Sequence, residues 1–251
     1  MRKLGKRCLT FAQGFLLVNL LWLAAHYIIR TTVIPNPLDV YRHVSDLWNN
    51  QMPLHILVSL QRVAIGLALA LAVGVPVGIL MAYSKAWNKV LYPLVYFTYP
   101  IPKTALLPIA MLLWGMHDGS KIAILFLILV FQVIVAVRDG VGNIDATVYQ
   151  VVISAGASRS DIIRHITLPA ILPELLTSLR VALGTAVAVL FFVEGYGTRY
   201  GMGYYILDAW SRIDYIGMYL GILVISVVGF ALFVLVDALA DRLCRWSRRL
   251  E

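Results

Sequence analysis

The sequence is poor in charge. Of its 251 residues, 14% are charged and 61% are hydrophobic, and the mean hydropathy is +0.83. Soluble domains carry about 25% charged residues, and a water-facing surface built from this composition would expose large apolar patches. The composition therefore excludes an ordinary soluble domain and predicts a protein that lies in a lipid bilayer.

The residues that build metal sites and disulfides are also scarce. Cys8 and Cys244 stand near opposite ends of the chain, so the sequence offers neither a disulfide framework nor a cysteine metal site. The five histidines are scattered: His26, His43, His55, His117 and His165. Because they show no His-x-x-x-His spacing and no paired carboxylates accompany them, we predict no catalytic residue and no metal site.

A nucleotide-binding loop is missing too. Gly195, Gly197, Gly201 and Gly203 lie close together, but no Gly-Lys-Ser/Thr sequence follows them and the strand–helix context is absent. We expect them to form a flexible outer loop whose neighbouring tyrosines suit the headgroup region. We also expect this chain to bind no cofactor, so ATP and Mg²⁺ would be held by another polypeptide.

Long apolar runs are what the sequence has instead. They lack the alternation of barrel strands, and they are long enough for helices to cross a bilayer. We therefore predict an all-α integral membrane protein with about six transmembrane helices in a single domain, residues 1–251. The expected spans are residues 9–29, 58–83, 90–114, 122–137, 175–193 and 215–236, with residues 138–172 outside the membrane.

Two segments near the N-terminus need separate interpretation. The first apolar run follows a basic start, as in a signal peptide, but it is too long for an ordinary signal core, so we predict a retained helix. Residues 38–48 carry apolar side chains at helical spacing. This pattern predicts a short amphipathic helix on a membrane surface or on neighbouring helices.

The basic residues gather at the ends of the apolar runs. The formal net charge is +8, and this placement is typical of cytoplasmic anchoring rather than of nucleic-acid binding. If both termini are cytoplasmic, four basic segments lie inside. They are the N-terminus, the loop with Lys85 and Lys89, residues 138–172 and the arginine-rich tail. We predict this orientation for a multi-pass protein. We expect its partner to be the lipid bilayer and expect it to bind no nucleic acid.

The loop between the fourth and fifth spans is the most informative segment. We predict a helix over residues 146–155 that ends near Gly156, because glycine suits a left-handed turn. Ser158 can cap a second helix, and Asp161 adds a favourable charge to its first turn. That helix should end before Pro169. A compact helix–turn–helix would then project from the membrane, and about 35 residues is long for a plain connector.

The spacing within this loop is distinctive. Gly156 is followed, after nine residues, by the sequence Ile-Thr-Leu-Pro at 166–169. This spacing resembles the cytoplasmic signature of bacterial ABC importer permeases, the coupling helix that docks on an ATPase subunit. The stretches at 34–38, 102–108 and 201–204 resemble the nitrate, sulfonate and taurine branch of that family, so the resemblance covers nearly the whole chain.

The resemblance implies partners and a location. It implies ABC ATPase subunits, a second permease copy in a homodimer, an extracytoplasmic solute-binding protein and the bacterial cytoplasmic (inner) membrane. It also implies a small solute, an anion such as nitrate, a sulfonate or taurine. The residues that it places at the docking surface are Gln150, Val151, Val152, Ala155, Gly156, Ala157, Ser158, Asp161, Ile166, Leu168 and Pro169.

One position departs from the family pattern. The family usually begins its motif with Glu-Ala-Ala, where this chain has Gln150, Val151 and Val152. Gln150 keeps hydrogen-bonding capacity without the charge, so it cannot form the ion pair that a glutamate could make at this position. The apolar pair favours packing against the groove of a partner.

Polar groups inside apolar runs are costly and mark functional candidates. Those that we assign to a translocation pathway, with the prolines beside them, are Pro100, Pro102, Lys103, Gln132 and Glu194. Prolines open a helix locally, so Lys103 either attracts an anionic solute in the pathway or snorkels to the headgroups. Glu194 either gates the outer mouth or binds neighbouring backbone, and Gln132 is a ligand or an interhelical hydrogen-bond partner.

A stand-alone secondary transporter or channel is the alternative function. Many such proteins consist of inverted repeats with broken helices in matching positions. This sequence has one proline-broken span and no matching half, which favours the importer permease.

Overall fold

The structure is a computed structural model that describes residues 2–246, with the side chains of residues 13–48 and 50–246. Its described residues form helices and turns without a strand. The helices are α1 (Arg2–Ile29), α2 (Pro37–Arg42), α3 (Asp46–Asn49), α4 (Met52–Tyr83), α5 (Lys85–Thr98), α6 (Leu107–Trp114), α7 (Asp118–Gly142), α8 (Ala146–Ser154), α9 (Arg159–Ile162), α10 (Leu168–Val193), α11 (Met202–Ser211) and α12 (Tyr215–Leu243).

The helices agree with an all-α integral membrane protein. Four helical stretches in the described residues are long and apolar enough to cross a bilayer: α4, α7, α12 and the rod Arg159–Val193 that contains α10. The described side chains of α1 begin at Gln13, and the stretch Gln13–Ile29 is apolar. The third predicted span is broken into α5 and α6. The observed helices extend beyond most predicted spans because hydropathy marks the apolar runs and misses the polar helix ends.

A seam of small residues joins α4 to α7. Gly66, Ala70, Gly74 and Gly78 recur every fourth position of α4 and are buried. A Cβ atom on Gly74 would lie 2.7 Å from Cγ1 of Val133. The two backbones therefore approach as closely as in other small-xxx-small pairs of membrane helices.

Outside this seam, α10 packs on α7, and α12 packs on α10. An ion pair between Arg180 of α10 and Asp237 of α12 joins the last two long helices, which is the pairing within the bundle that an intramembrane arginine favours. The helix α1 lies at the edge, where Asn19 accepts a hydrogen bond from the Tyr41 hydroxyl at 2.6 Å and Trp22 stacks on Tyr219.

The segment 38–48 differs from its prediction. The expected single amphipathic helix is divided into α2 and α3, with turn residues 43–45 between them. Asn36 begins α2 by accepting a hydrogen bond from the Leu38 amide at 2.9 Å. Val40 is fully buried, so this short piece still presents an apolar face to the bundle.

The bundle has two distinct ends. At the first end, which we call the coupling end, α4 and α7 finish and α10 begins beside residues 145–167. At the second end, the start of α4 and the start of α7 meet the residues that follow α10. We call it the clasp end. Lys85 and Lys89 lie beside the coupling end, so our prediction places that end in the cytoplasm.

Not every basic residue lies at the coupling end. Arg62 and Lys121 lie near the clasp end, where they are buried within the helices α4 and α7. The side chains of the N-terminal basic residues Arg2, Lys3, Lys6 and Arg7 lie outside those described. The tail arginines Arg248 and Arg249 lie outside the described residues.

Candidate functional site

The first helix of the coupling segment, residues 145–167, has well-formed ends. The Asp145 carboxylate accepts a hydrogen bond from the Thr147 amide at 2.8 Å, which caps α8. At the other end, Gly156 has a φ of +84° and its amide donates to the Ile153 carbonyl at 2.9 Å. The following amide donates to the carbonyl of Val152. This pair of bonds is the Schellman motif that ends helices at a left-handed glycine.

The second helix begins as the sequence predicts but does not end where expected. The Ser158 hydroxyl accepts from the Asp161 amide at 3.3 Å, and the Asp161 carboxylate accepts from the Ser158 amide at 3.2 Å. This capping box starts α9. Instead of stopping before Pro169, the chain continues through a π turn, Ile163–Thr167, into α10. The wider turn accommodates the proline in the first turn of α10, where its missing amide costs least.

The coupling segment is anchored at its base and exposed at its tip. Ile162 and Thr167 are its buried side chains, and the Thr167 hydroxyl lies 2.6 Å from that of Tyr83 at the end of α4. No side chain of α8 is buried. Val151 is 65% exposed and Ile153 is 58% exposed. Exposed apolar side chains on so short a helix are typical of a surface that a partner covers.

The residues assigned to the docking surface lie together at this end. Gln150, Val151, Ala155, Gly156, Ser158 and Asp161 are exposed, Val152, Ala157 and Ile166 are half-buried, and Leu168 and Pro169 belong to the first turn of α10.

At the clasp end, Glu194 is fully buried and does not face an open path. Its carboxylate accepts hydrogen bonds from the Arg62 guanidinium at 2.6 Å and from the Ser59 hydroxyl at 2.8 Å. It also accepts one from the Gly203 amide at 2.9 Å. Of the two roles that the sequence left open for Glu194, the structure matches the binding of neighbouring backbone.

Arg62 distributes its donors over several segments. Besides Glu194, its guanidinium donates to Asp118 at 2.6 Å, to the Thr198 hydroxyl at 3.0 Å and to the Tyr200 carbonyl at 2.9 Å. It is 3% exposed. We call Arg62, Glu194, Ser59 and Asp118 the charge clasp. It joins the start of α4, the start of α7 and the chain that follows α10.

The glycine-rich segment after Glu194 is a loop only as far as Gly201, because Gly203 lies in a helix. It contains α11, in which Gly203, Tyr205 and Ile206 are buried. A Cβ atom on Gly203 would lie 2.6 Å from the Phe191 carbonyl oxygen, and Gly201 has a φ of +140°. Glycine is needed at these positions for close packing and backbone conformation, and Tyr205 is in the protein interior and not among headgroups.

The broken third span positions Lys103. Its ammonium donates to the carbonyls of Thr98 at 2.8 Å and Tyr99 at 2.5 Å, so it caps the C-terminal end of α5. It also lies 5.4 Å from the centroid of the Phe131 ring, near the middle of α7. This contact places the ammonium beside the middle of α7, and both roles that the sequence left open for Lys103 stay predictions.

Two of the remaining pathway candidates lie in this break and the third lies on α7. Pro100 and Pro102 are exposed. Gln132 is half-buried on α7, and its side-chain oxygen has no hydrogen-bond partner within the part of the chain that the structure describes. The interhelical hydrogen bond considered for Gln132 is therefore not formed by its oxygen.

Comparison with known proteins adds to this geometry. The family described as "Binding-protein-dependent transport system inner membrane component" matches residues 74–246. The chain belongs to this family. The matched residues include the coupling segment, Glu194 and α11, whereas Arg62 and Ser59 precede them.

Individual relatives of this permease cover most of its length. A probable ABC transporter permease of Brucella abortus is 30% identical, with 98% of this chain and 97% of the relative aligned. A formylaminopyrimidine transport permease of Halalkalibacterium halodurans is 27% identical, with 94% of each aligned. A permease of Bacillus subtilis that is named for the transport of aliphatic sulfonates is 27% identical, with 100% of this chain and 93% of the relative aligned.

Solved structures agree on the fold of the permease. A bacterial alginate ABC transporter, crystallised with a periplasmic protein that holds an alginate pentasaccharide, contains a chain that matches this one with a TM-score of 0.67. The two are 18% identical, with 95% of this chain and 96% of that chain covered. At this identity the likeness establishes the arrangement of helices alone.

Proposed function

We propose that this importer permease docks a separate ATPase subunit through its coupling segment and acts as a homodimer that an external binding protein supplies with solute. The observation that carries the proposal is the coupling segment itself. It has capped helices, a fixed turn at Gly156 and exposed apolar side chains on α8. A surface that is rigid, apolar and exposed at the end of a bundle suits a groove on a partner.

The connections of the coupling segment suit it to transmit movement. The π turn joins α9 to α10 without a break, and the hydroxyls of Tyr83 and Thr167 join it to α4. A displacement of the segment by the closing ATPase pair would therefore move two long helices together. Rigid-body motion of this kind is a common way to switch the accessibility of a path.

The broken third span supports a location for the solute path on its own side of the permease. Tyr99 is 51% exposed and Ile101 is 38% exposed, in a non-helical stretch near the depth of Phe131. Irregular backbone at membrane depth does not face lipid, because its polar groups must meet protein or water. This side of the permease therefore faces the second copy or the solute path in our proposal.

The solute is a small anion in this proposal. Lys103 places an ammonium at the broken span, Arg138 lies beside it next to Asp139, and a relative is named for aliphatic sulfonates. A second relative is named for formylaminopyrimidine, so the family also serves small organic molecules without such a group.

The proposal is tested by purifying the tagged permease from native membranes in mild detergent and assaying the eluate for ATPase activity. We expect the wild type to bring down an ATPase. Gly156→Arg should not, because it adds bulk at the tip of the coupling segment and distorts a turn with positive φ. Gly142→Arg is the matched control, since Gly142 is also exposed and a Cβ atom on it would have no neighbour within 4 Å, but it is helical.

The two variants separate docking from folding. Loss of ATPase from Gly156→Arg, with retention by Gly142→Arg at equal yield, supports docking through the coupling segment. A wild-type permease that elutes alone under conditions that preserve known complexes would overturn the proposal. Equal loss in both variants would place the docking surface elsewhere at the coupling end.

A further inference from the structure

A pocket with unusual lining lies between α5 and the coupling half of α7. Its volume is about 490 Å³, and the residues that matter to its chemistry are Tyr92, Tyr96, Tyr99, Pro100, Arg138 and Asp139. It extends from the end of α7 towards the break in the third span. It therefore lies on the side of the permease that the proposed function assigns to the solute path.

Aromatic rings form the wall of this pocket. Tyr92 and Tyr96 stack with their centroids 5.9 Å apart and their planes 25° apart. Tyr96 is 71% exposed. Tyr99 comes directly after the last residue of α5, and the Lys103 ammonium lies 5.4 Å from the centroid of its ring. Ring faces of this kind bind flat or aliphatic groups, and phenol hydroxyls at the edge tolerate water.

A single guanidinium lies at one end of the wall. The central carbon of Arg138 is 4.6 Å from the centroid of the Tyr92 ring. Stacking on a ring holds a guanidinium in one plane and leaves donors at its edge for a carboxylate, sulfonate or phosphate. The Nε atom of Arg138 lies 3.5 Å from the carboxylate of Asp139.

The charges of the pocket limit what it can bind. Arg138 and Asp139 carry opposite charges at the same mouth and offset each other. The Lys103 ammonium beside Tyr99 is not a lining group, and the carbonyls of Thr98 and Tyr99 already accept its hydrogen bonds. A bare inorganic anion would gain little there, because the attraction of one charge is offset by the other. A ligand must therefore draw part of its binding free energy from the rings.

We infer that this pocket is a binding station for an organic anion, a solute with one anionic group on a flat or aliphatic body. The anionic group would meet Arg138, and the body would lie on Tyr92 and Tyr96. This inference rests on the proposed path, and it selects organosulfonates or similar compounds over nitrate within the anion class.

The test uses the permease co-purified with its ATPase and placed in phosphatidylcholine nanodiscs without a binding protein. Equilibrium dialysis with radiolabelled benzenesulfonate measures the dissociation constant, with ethanesulfonate and nitrate as competitors. We expect benzenesulfonate to bind more tightly than ethanesulfonate and nitrate to compete at least about tenfold more weakly than either, because it has no body to lie on the rings.

Four variants locate the binding. Tyr96→Ala should weaken benzenesulfonate binding about fivefold, and Tyr96→Phe should remain within about twofold, since the ring is kept. Arg138→Gln should weaken it about tenfold. Phe97→Ala is the control, because Phe97 is 78% exposed on α5 and does not line the pocket.

Three results would overturn the inference. The first is equal binding by the wild type and Tyr96→Ala. The second is nitrate competing as well as ethanesulfonate. The third is an Arg138-dependent loss of benzenesulfonate binding when the nanodiscs contain phosphatidylglycerol, which would identify the anion at Arg138 as a lipid headgroup. None of these results affects the proposed function, which fails on its own if the ATPase does not co-purify.

Discussion

The two ends of the bundle are built in opposite ways. At the clasp end, Glu194 is fully buried and Arg62 is 3% exposed, and each has partners within the chain. At the coupling end, α8 has no buried side chain, and Val151 is 65% exposed. One end satisfies its polar groups internally, whereas the other leaves apolar groups uncovered.

This difference indicates where each end acquires its stability. The charge clasp holds the chain after α10 against α4 and α7, so changes there should unfold or loosen the permease. The coupling segment is held by local caps and by Tyr83 at its base. Changes at its tip should therefore affect a partner more than the fold. The effects on stability described below should decrease from the clasp end to the coupling end.

Glu194→Gln should have the largest effect on stability. Glutamine keeps the shape but leaves Arg62 without one of its two carboxylate partners, and removal of one member of a buried pair costs about 3–5 kcal/mol. Thermal unfolding in detergent measures this loss. Arg212→Gln is the control, because its pair with Asp208 is 61% and 35% exposed, and exposed pairs contribute about 1 kcal/mol or less. Equal shifts in the two variants would contradict the clasp.

A change in the seam between α4 and α7 should have the next largest effect on stability. In Gly78→Val, the new side chain would meet Val137, whose Cβ lies 2.7 Å from the position of a Cβ on Gly78. Overpacking of this kind costs about 1–3 kcal/mol. Gly142→Val is the matched control, since nothing lies within 4 Å of its Cβ position. If Gly78→Val unfolded at the same midpoint as the control, the two helices would have moved apart without loss of stability, which would contradict tight packing at the seam.

Gly156→Ala should have a smaller and more local effect. Its Cβ position has open space, so the cost comes from the φ of +84° alone, and a left-handed residue with a Cβ costs about 1–2 kcal/mol. We expect hydrogen exchange to rise within the coupling segment while the global unfolding midpoint stays unchanged. A fall in that midpoint beyond that of Gly142→Ala would contradict a purely local role.

The sequence was sufficient to predict the coupling segment because its structure is local. Gly156, Ser158 and Asp161 determine the turn and the capping box through bonds that span a few residues. The prediction failed only at Pro169, where a π turn let the helix continue. A local rule for proline does not include the neighbouring helix α4 that supports this turn.

The charge clasp could not be predicted in the same way. Glu194 and Arg62 are 132 residues apart in sequence, and no local pattern pairs them. A signal was nevertheless present, because His55, Ser59 and Arg62 recur at one face of an apolar helix. Polar side chains on one face of a span indicate a buried partner, but they do not identify it.

The pH dependence of the coupling segment should be the smallest effect. Hydrogen bonding from the Thr147 amide lowers the pKa of the Asp145 carboxyl below its ordinary value. A carboxyl whose pKa is lower in the folded state stabilises that state fully above its unfolded pKa, about 3.9, and loses this contribution as the pH falls through the folded pKa. We therefore expect α8 to exchange amide hydrogens faster, relative to α7, below about pH 4. Asp145→Asn keeps an acceptor that does not titrate, so its α8 should show no such step. A step of equal size in the variant would assign the effect to another group.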